Sequence, residues 1–230
     1  MAKIALTILL AALNSAHEQV EKNGIYYHYK DRDKFYKVIE LAIDTHDEEN
    51  HGIQVIYQTL YVPGTWARPL KDWLSDVEVN GVKMKKFTKQ KIRFGAGGVV
   101  VNSLTGKVLV VNQNGNSWSL PKGGIDPDED TLVAAQREIY EESGINQLTF
   151  VKKLGNYQRY AIPRDGSIDK GEDKNLLKDL TFFLFTTEQE ELCPQDSDNP
   201  EARWVDKEKV ADLLTHPRDK EFFLSILSLI

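Results

Sequence analysis

The segment from Gly123 to Ile145, GGIDPDEDTLVAAQREIYEESGI, places three carboxylates at helical spacing. Residues Glu138, Glu141 and Glu142 stand at i, i+3 and i+4, which share one face of a helix. Like charges at this spacing destabilise a helix unless a cation lies among them, and hard divalent cations prefer oxygen ligands. The segment therefore predicts a helix that carries a Mg²⁺ site, with Mn²⁺ as the alternative metal.

The residues around this helix predict a phosphate-binding turn and the helix boundaries. The stretch from Trp118 to Gly124 reads as a strand end and a tight turn, where glycine lets the backbone approach a phosphate closely. Pro127 is predicted to open the helix, because the acidic residues after it suit the positive end of the helix dipole. Gly144 is predicted to end it. The buried stripe is predicted to contain Leu132, Ala135 and Ile139, with the three carboxylates on the opposite face.

The segment resembles the Nudix box, whose pattern is Gly-x5-Glu-x7-Arg-Glu-Ile-x-Glu-Glu-x-Gly-Ile. It matches at all nine defined positions, which are Gly123, Glu129, Arg137, Glu138, Ile139, Glu141, Glu142, Gly144 and Ile145. The alternative interpretation is an ordinary amphipathic helix with a solvated acidic face. The resemblance implies an α/β fold, the Nudix α/β/α sandwich with a mixed sheet. It also implies hydrolysis of a nucleoside diphosphate linked to another moiety, with several Mg²⁺ or Mn²⁺ ions.

The resemblance assigns roles to individual residues of the box. It places metal ligands at four positions, the backbone carbonyl of Gly123 and the side chains of Glu138, Glu141 and Glu142. Arg137 is predicted to hold a metal-binding carboxylate in place, with an ordinary surface arginine as the alternative. Glu129 belongs to the site by resemblance alone.

The resemblance leaves the general base open between the box and a downstream loop. Within the box, Glu141 or Glu142 is the candidate, whereas in many relatives the base or an extra metal ligand follows later in the chain. Glu201 is the first downstream candidate, because many relatives carry a glutamate shortly before the tryptophan that stands here at Trp204. A charged turn residue is the alternative interpretation of Glu201.

Segments around the box resemble the diadenosine polyphosphate hydrolase branch of the Nudix family. The resemblance implies that Lys122 neutralises a polyphosphate oxygen and that the backbone at Gly124 approaches the nucleotide. Arg159 and Tyr160 are candidates to contact phosphates or a base, as are Arg164 and Lys174 in or beside a predicted mobile loop at 163–175. Similar segments occur in Nudix enzymes that act on oxidised nucleotides, RNA ends or diphosphoinositols. The expected substrate is a dinucleoside polyphosphate or a related nucleotide, and these other substrates are the alternatives.

Residues 23–90 are predicted to form a small β-barrel domain before the Nudix domain at 91–230. Short runs rich in Tyr, Val, Ile and Trp alternate here with turn signals. The run Tyr27-His-Tyr-Lys30 and the run Trp66-Ala-Arg-Pro69 resemble a bacterial domain-of-unknown-function family whose members are thought to be SH3-like. His28, Tyr29, Trp66 and Arg68 form either an exposed patch for a nucleotide, nucleic acid or protein, or part of an aromatic core.

Residues 1–22 are predicted to form an N-terminal amphipathic helix. The apolar run after Lys3 resembles a secretory signal, but a helical stripe from Leu6 to Val20 continues past it into polar sequence. The apolar run is too short to span a bilayer, so no membrane association is expected. A helix that docks or forms an oligomer is therefore preferred to a signal peptide.

Charge and cysteine content indicate what the second domain is not expected to bind and which compartment the protein is expected to occupy. Residues 91–230 carry 17 Lys or Arg against 23 Asp or Glu, which accounts for the net charge of −6. This balance argues against a broad nucleic-acid-binding face on the second domain, since such faces are usually basic. The only cysteine, Cys193, forms no internal disulfide, and together with the nucleotide-type site it favours a cytoplasmic protein.

A nucleotide-sensing or adaptor protein is the alternative to an enzyme. In that alternative the Nudix fold binds a nucleotide and the barrel recruits a partner. Loss of acidic residues from the box would favour sensing, and none is missing here. The sequence therefore predicts a metal-dependent diphosphohydrolase.

Overall fold

The computed structural model describes residues 6–45, 52–162, 171–196, 198 and 200–230. Arg164 and most of the predicted loop at 163–175 lie outside these residues, as does the start of the apolar run after Lys3. The chain divides into two compact units, residues 1–90 and residues 91–230. Among the helices of the described ranges, none has both the length and the apolar character needed to cross a bilayer.

The first unit is an antiparallel β structure with a helix at its start. Its helices are α1 (Leu6–Gln19) and α2 (Leu70–Trp73). Its strands are β1 (Ile25–His28), β2 (Asp31–Ile43), β3 (Ile53–Thr59), β4 (Thr65–Pro69), β5 (Asp76–Val79), β6 (Val82–Lys85) and β7 (Phe87–Lys89). Five strands pair in the order β4-β3-β2-β1-β7, while β5 and β6 form a separate hairpin. Within the described residues this order is an open path, and the SH3-like barrel stays a prediction.

Aromatic side chains fill the core of the first unit. Trp73 and Phe87 stack with ring centroids 4.0 Å apart, and Tyr26 meets Trp73 edge-on at 5.4 Å. Ala16, in α1, and Val20, just after it, are buried in the same core. The N-terminal helix therefore belongs to this unit, and its proposed role in oligomer formation stays a prediction.

The second unit is built on a mixed seven-stranded sheet. Its strands are β8 (Lys91–Asn102), β9 (Val108–Gln113), β10 (Ser117–Ser119), β11 (Lys122–Gly124), β12 (Thr149–Ala161), β13 (Asp173–Thr187) and β14 (Glu201–Val205). Its helices are α3 (Thr131–Ser143), α4 (Lys207–Leu213) and α5 (Pro217–Ile226), followed by a 3₁₀ turn at Leu227–Leu229. The main order is β10-β9-β8-β13-β12, with β11 on β8 and β14 on β9. Strands β8 and β13 are parallel, and the other pairs are antiparallel.

Helices cover both faces of this sheet because apolar residues alternate along its central strands. On β13, Phe182 and Leu184 face the cluster that contains α4 and α5. Phe183 and Phe185 face the opposite cluster, which contains Ala135 and other residues of α3. The second unit is thus an α/β/α sandwich with a mixed sheet, as predicted.

Helix α3 begins later than the sequence suggested. Pro127 does not open it, because Asp128 has a φ of +63°, which is incompatible with a right-handed helix. Asp130 is the N-cap, and its carboxylate accepts hydrogen bonds from the backbone N–H groups of Leu132 and Val133. Gly144 ends the helix with a φ of +78°, as predicted.

Candidate active site

A cavity of about 360 Å³ lies beside β8, β11 and α3 in the second unit. Charged side chains of both signs and the backbone of three glycines line it. Carboxylates come from Glu138, Glu142, Asp196 and Asp198, and cations come from Arg93, Lys122, Arg159 and Lys178. Backbone of Gly95, Gly123 and Gly124 completes the floor, and Phe94 is 61% exposed beside Arg93.

The glycine at position 123 leaves the space that the Glu138 carboxylate fills. An added Cβ would lie 1.9 Å from Glu138 Oε2 and 2.1 Å from its Cδ. Strand β8 also uses glycine at its contact with β11, since a Cβ at Gly97 would lie 2.3 Å from the carbonyl oxygen of Pro121. These glycines let α3, β8 and β11 approach closely enough for the carboxylates of α3 to reach the turn.

Two of the three predicted carboxylates, Glu138 and Glu142, are buried on the same face of α3 as Ala135 and Ile139. Their predicted place on the face opposite the apolar stripe is therefore wrong. Glu142 is 3% exposed, and its Oε2 accepts a hydrogen bond of 2.9 Å from the backbone N–H of Lys122. Burial raises the pKa of Glu142 to about 7, against the lowering effect of the Lys122 charge. Burial likewise raises the pKa of Glu138, which Arg137 partly offsets. Both carboxylates therefore lie where a cation would favour their charged form.

Arg137 connects the acidic residues of the box. Its Nε and Nη2 each lie 2.8 Å from a different oxygen of Glu129, which is a bidentate pair. Its Nη1 donates to Glu138 at 2.8 Å and to Glu141 at 3.2 Å, and Nη2 also donates to the carbonyl oxygen of Gly124 at 2.7 Å. The bond with Arg137 lowers the pKa of Glu129 to about 2. Arg137 therefore has the contacts expected of a residue that orients a metal-binding carboxylate.

Replacement of Arg137 tests this orienting role. We expect Arg137→Lys to weaken Mn²⁺ binding by about 10- to 100-fold, because a lysine keeps the charge but loses the planar bidentate pair with Glu129. Titration of metal-free protein with Mn²⁺, followed by electron paramagnetic resonance, measures the change. Arg218→Lys is the matched control, since Arg218 lies outside the box and pairs with Glu221, which has no predicted role in the site. Equal Mn²⁺ affinity of Arg137→Lys and the unmodified protein would contradict the role.

The cationic wall of the cavity includes residues far apart in sequence. Lys122 is 4% exposed, with its Nζ 3.0 Å from Ser119 Oγ. Arg159 is 5% exposed, and its Nε lies 2.8 Å from Asp219 Oδ1 on α5. Tyr157 donates to the same oxygen of Asp219 at 2.7 Å. A buried carboxylate from the C-terminal helix therefore holds Arg159 at the cavity.

The acidic segment before β14 is held against the end of α3. The backbone N–H groups of Gln195 and Asp196 donate to the carbonyl oxygen of Glu141 at 2.8 and 3.0 Å. The carbonyl oxygen of Asp198 accepts a bond of 2.6 Å from the backbone N–H of Asn114. These bonds place Asp196 and Asp198 at the cavity, and neither residue was predicted from the sequence.

The predicted site residues fall into two groups in the described structure. The residues that line the cavity are Lys122, Gly123, Gly124, Glu138, Glu142 and Arg159. Those outside the lining are Arg137, Glu141, Tyr160 and Glu201. Glu201 pairs with Arg203 on β14, and Tyr160 is 8% exposed beneath Lys174 Nζ. The roles of Glu201 as general base and of Tyr160 as a substrate contact stay predictions.

The residues around Gly123 fit a hard divalent cation. Glu138, Glu142 and the Gly123 carbonyl offer only oxygen donors, which Mg²⁺ and Mn²⁺ prefer. The absent Cβ at Gly123 keeps its backbone in contact with the Glu138 carboxylate. Glu141 is 43% exposed at its side chain and turned towards Arg137. In the described part of the chain, no three Asp, Glu, His or Cys side chains are already gathered as a metal site. Ligation by Glu141 stays a prediction.

Comparison with known proteins assigns the second unit. The family model described as the NUDIX domain matches residues 91–226. The chain belongs to the NUDIX family. A second family model, described as a protein of unknown function (DUF1653), matches residues 24–94. Both resemblances predicted from the sequence are confirmed, and the protein is a NUDIX-type diphosphohydrolase.

Curated relatives of this NUDIX protein include RNA pyrophosphohydrolases. That of Pelagibacter ubique is 31% identical over 130 residues, which cover 54% of this chain and 82% of the relative. That of Bartonella tribocorum is 30% identical over 149 residues, which cover 57% of this chain and 86% of the relative.

Solved structures similar to this NUDIX protein include those of two other enzymes. The Escherichia coli dihydroneopterin triphosphate pyrophosphohydrolase has a TM-score of 0.49 and 15% identity, over 61% of this chain and 100% of that one. A Caenorhabditis elegans Ap4A hydrolase complex has a TM-score of 0.48 and 22% identity, over 60% of this chain and 96% of that one.

Proposed function

We propose that this NUDIX protein hydrolyses a diphosphate linkage within the polyphosphate chain of a nucleotide, with a dinucleoside polyphosphate as its substrate. The observation that supports this is the cationic wall of the cavity, which faces the buried carboxylates Glu138 and Glu142. A polyphosphate carries several negative charges close together, so four converging cations suit it better than they suit a single phosphate. The exposed ring of Phe94 at the same cavity suits a nucleotide base.

The proposed chemistry divides between the metal and the chain. Bound Mg²⁺ would neutralise phosphate oxygens and lower the pKa of a bound water. Glu138, Glu142 and the Gly123 carbonyl would hold the metal, with Glu141 as a further candidate ligand. Lys122 and Arg159 would bind the phosphate oxygens and orient the linkage for attack. A carboxylate must also accept the proton of the attacking water, and the candidates predicted from the sequence are Glu141, Glu142 and Glu201. Asp196 and Asp198 are further candidates, because both line the cavity.

A second candidate substrate is the 5′ end of a triphosphorylated RNA. The observation that favours it is that curated relatives at 30–31% identity are named RNA pyrophosphohydrolases. An RNA end presents the same polyphosphate chemistry as a dinucleoside polyphosphate, with a nucleic acid in place of the second nucleoside. We also propose the cytoplasm as the compartment, which the single cysteine and the nucleotide-type site support.

Lys178 gives this site a predicted pH dependence. Burial, reinforced by the charges of Lys122, Arg159 and Arg93, lowers the pKa of Lys178 to about 8. Lysine is charged below its pKa, so the cavity loses one cation as the pH rises through about 8. We expect kcat/KM for a polyphosphate substrate to fall through this range, and Lys178→Met to remove that part of the profile. An unchanged alkaline profile in Lys178→Met would contradict the assignment.

A panel of substrates tests the proposed function. The full chain is incubated with Mg²⁺ or Mn²⁺ and with dinucleoside polyphosphates, nucleoside triphosphates, nucleotide sugars and 5′-triphosphorylated RNA, and released phosphate products are identified by ³¹P NMR. Preferred turnover of dinucleoside polyphosphates supports the first candidate, and preferred turnover of RNA ends supports the second. Tight nucleotide binding without any turnover would favour the sensing alternative.

A further inference from the structure

The two signature segments of the first unit meet around one ring. Phe87, on β7, has the His28 ring 4.9 Å from its centroid and the Arg68 guanidinium 5.3 Å from it. His28 belongs to the His-Tyr-Lys segment and Arg68 to the Trp-x-Arg-Pro segment. The ring of Phe87 also stacks on that of the buried Trp73. The signatures therefore converge on one place, outside the hydrolase unit.

Phe87 is the middle member of a row of five rings. The row runs from Tyr61 to Tyr36, Phe87, His28 and Tyr29. Successive ring centroids lie 5.8, 5.4, 4.9 and 4.5 Å apart. We call this set the aromatic row. Its members come from β1, the turn after it, β2, β7 and the turn after β3, so the fold brings them together.

Exposure separates the aromatic row from the core beneath it. Trp73 is 1% exposed and Tyr26 is 5% exposed, as expected for core residues. Tyr61 is 46% exposed, while Tyr36, His28 and Tyr29 are only partly buried. Phe87, at 6%, joins the row to the core. The core of this unit is thus aromatic, while the predicted binding role of His28, Tyr29, Trp66 and Arg68 stays a prediction.

Cations accompany the row along its length. Lys34 lies 5.6 Å from the centroid of Tyr61, Arg68 lies 5.3 Å from that of Phe87, and Lys30 lies 5.9 Å from that of Tyr29. Lys86 is close as well, because it shares Asp72 with Arg68. Asp31 pairs with Lys34, and Asp72 pairs with both Arg68 and Lys86. Four cationic side chains therefore lie along the row, two of them sharing one carboxylate, in a unit that has no net charge.

We propose that the aromatic row binds single-stranded nucleic acid. Partly exposed rings offer surfaces on which bases stack, and interleaved cations contact the phosphates between them. A double helix hides its base faces, so it cannot use the rings in this way. A proline-rich peptide also binds aromatic surfaces, but it carries no charge that would use the four cations. The first unit would thus hold a nucleic acid strand whatever the substrate of the hydrolase unit.

Binding of unphosphorylated oligonucleotides tests the row independently of hydrolysis. Fluorescence anisotropy is measured with the full chain at low salt, using single-stranded RNA and DNA of about 12 nucleotides with 5′-hydroxyl ends, and a duplex of equal length. We expect single strands to bind at least about tenfold more tightly than the duplex. Tyr61→Ala should weaken binding about tenfold, and Tyr61→Phe should largely restore it, because the ring rather than the hydroxyl stacks.

Control variants distinguish binding at the aromatic row from unspecific effects of a substitution. Phe150→Ala removes an aromatic ring of equal exposure, 46%, from the hydrolase unit and should leave binding unchanged. Lys34→Ala should reduce the slope of log affinity against log salt by about 0.7, while Lys83→Ala, on the β5–β6 hairpin, should not. The proposal is overturned if folded protein binds no single strand, binds duplex as well as single strands, binds a proline-rich peptide instead, or is weakened equally by the control variants.

Discussion

Glu142→Gln is expected to abolish nearly all diphosphate hydrolysis while leaving the fold intact. Glutamine has the shape of glutamate and its amide oxygen can still accept the 2.9 Å hydrogen bond from the backbone N–H of Lys122. It supplies neither an anionic metal ligand nor a proton acceptor. We therefore expect kcat to fall by about 10³-fold or more, measured with the substrate that the panel identifies.

The same variant has a predicted effect on stability that follows from the pKa of Glu142. The folded-state pKa is raised from the ordinary value of 4.5 to about 7, so the metal-free protein loses stability as the pH rises from about 4.5 to about 7, where the unfolded chain is ionised and the buried carboxyl still holds its proton. Glutamine does not ionise. Metal-free Glu142→Gln should therefore be more stable than the unmodified protein at pH 8, by up to about 3 kcal/mol, in denaturant unfolding. A loss of activity below tenfold, or a variant that fails to fold, would contradict this account of Glu142.

Gly123→Ala is expected to disrupt the metal site through one added methyl group. The new Cβ would lie 1.9 Å from Glu138 Oε2, so the carboxylate has to leave its position and its 2.8 Å bond with Arg137. Because the obstructing atoms are the far end of a flexible side chain, the cost in unfolding free energy should be only about 1–2 kcal/mol. Mn²⁺ affinity should fall by about 10- to 100-fold and kcat with it.

Two neighbouring glycines serve as controls for Gly123→Ala. An added Cβ at Gly124 meets no protein atom within 4 Å, so Gly124→Ala should keep most of the Mn²⁺ affinity. An added Cβ at Gly97 would lie 2.3 Å from the backbone carbonyl oxygen of Pro121, and this clash can be relieved only by moving a strand. Gly97→Ala should therefore cost about 3 kcal/mol or more of stability. Equal loss of Mn²⁺ affinity in Gly123→Ala and Gly124→Ala would show that the Glu138 carboxylate is not the cause.

The sequence could predict which residues share helix α3, because that depends only on their spacing along the chain. The spacing placed Arg137, Glu138, Glu141 and Glu142 on this helix, and their roles in metal binding stay predictions. Spacing alone could not show which carboxylates are buried. Their burial depends on how α3 packs against β8 and β11. Gly123 on β11 leaves space for the Glu138 carboxylate, and the backbone N–H of Lys122 donates a hydrogen bond to Glu142. The start of α3 was missed because the positive φ of Asp128 is set by the turn before it.

The long-range parts of the site could not be predicted from one sequence. Lys178 and Arg93 face the cavity because β13 pairs in parallel with β8, where these two residues are direct partners. Asp219 reaches Arg159 only because α5 packs beside β12. Asp196 and Asp198 lie at the cavity because their backbone is bonded to the end of α3 and to Asn114. In the first unit, likewise, pairing of β1 with β7 brings His28 next to Phe87.

The measurement that tests the central claim most directly is metal-dependent turnover by the full chain. Metal-free protein is supplied with a dinucleoside polyphosphate and 5′-triphosphorylated RNA in separate reactions, with Mg²⁺ added stepwise and product release followed throughout. The account predicts that hydrolysis of at least one substrate begins only with added metal, stops with a chelator, and is lost in Glu142→Gln. Hydrolysis that persists without metal, or in Glu142→Gln, would contradict the assignment of the catalytic metal site to Glu142 and its neighbours.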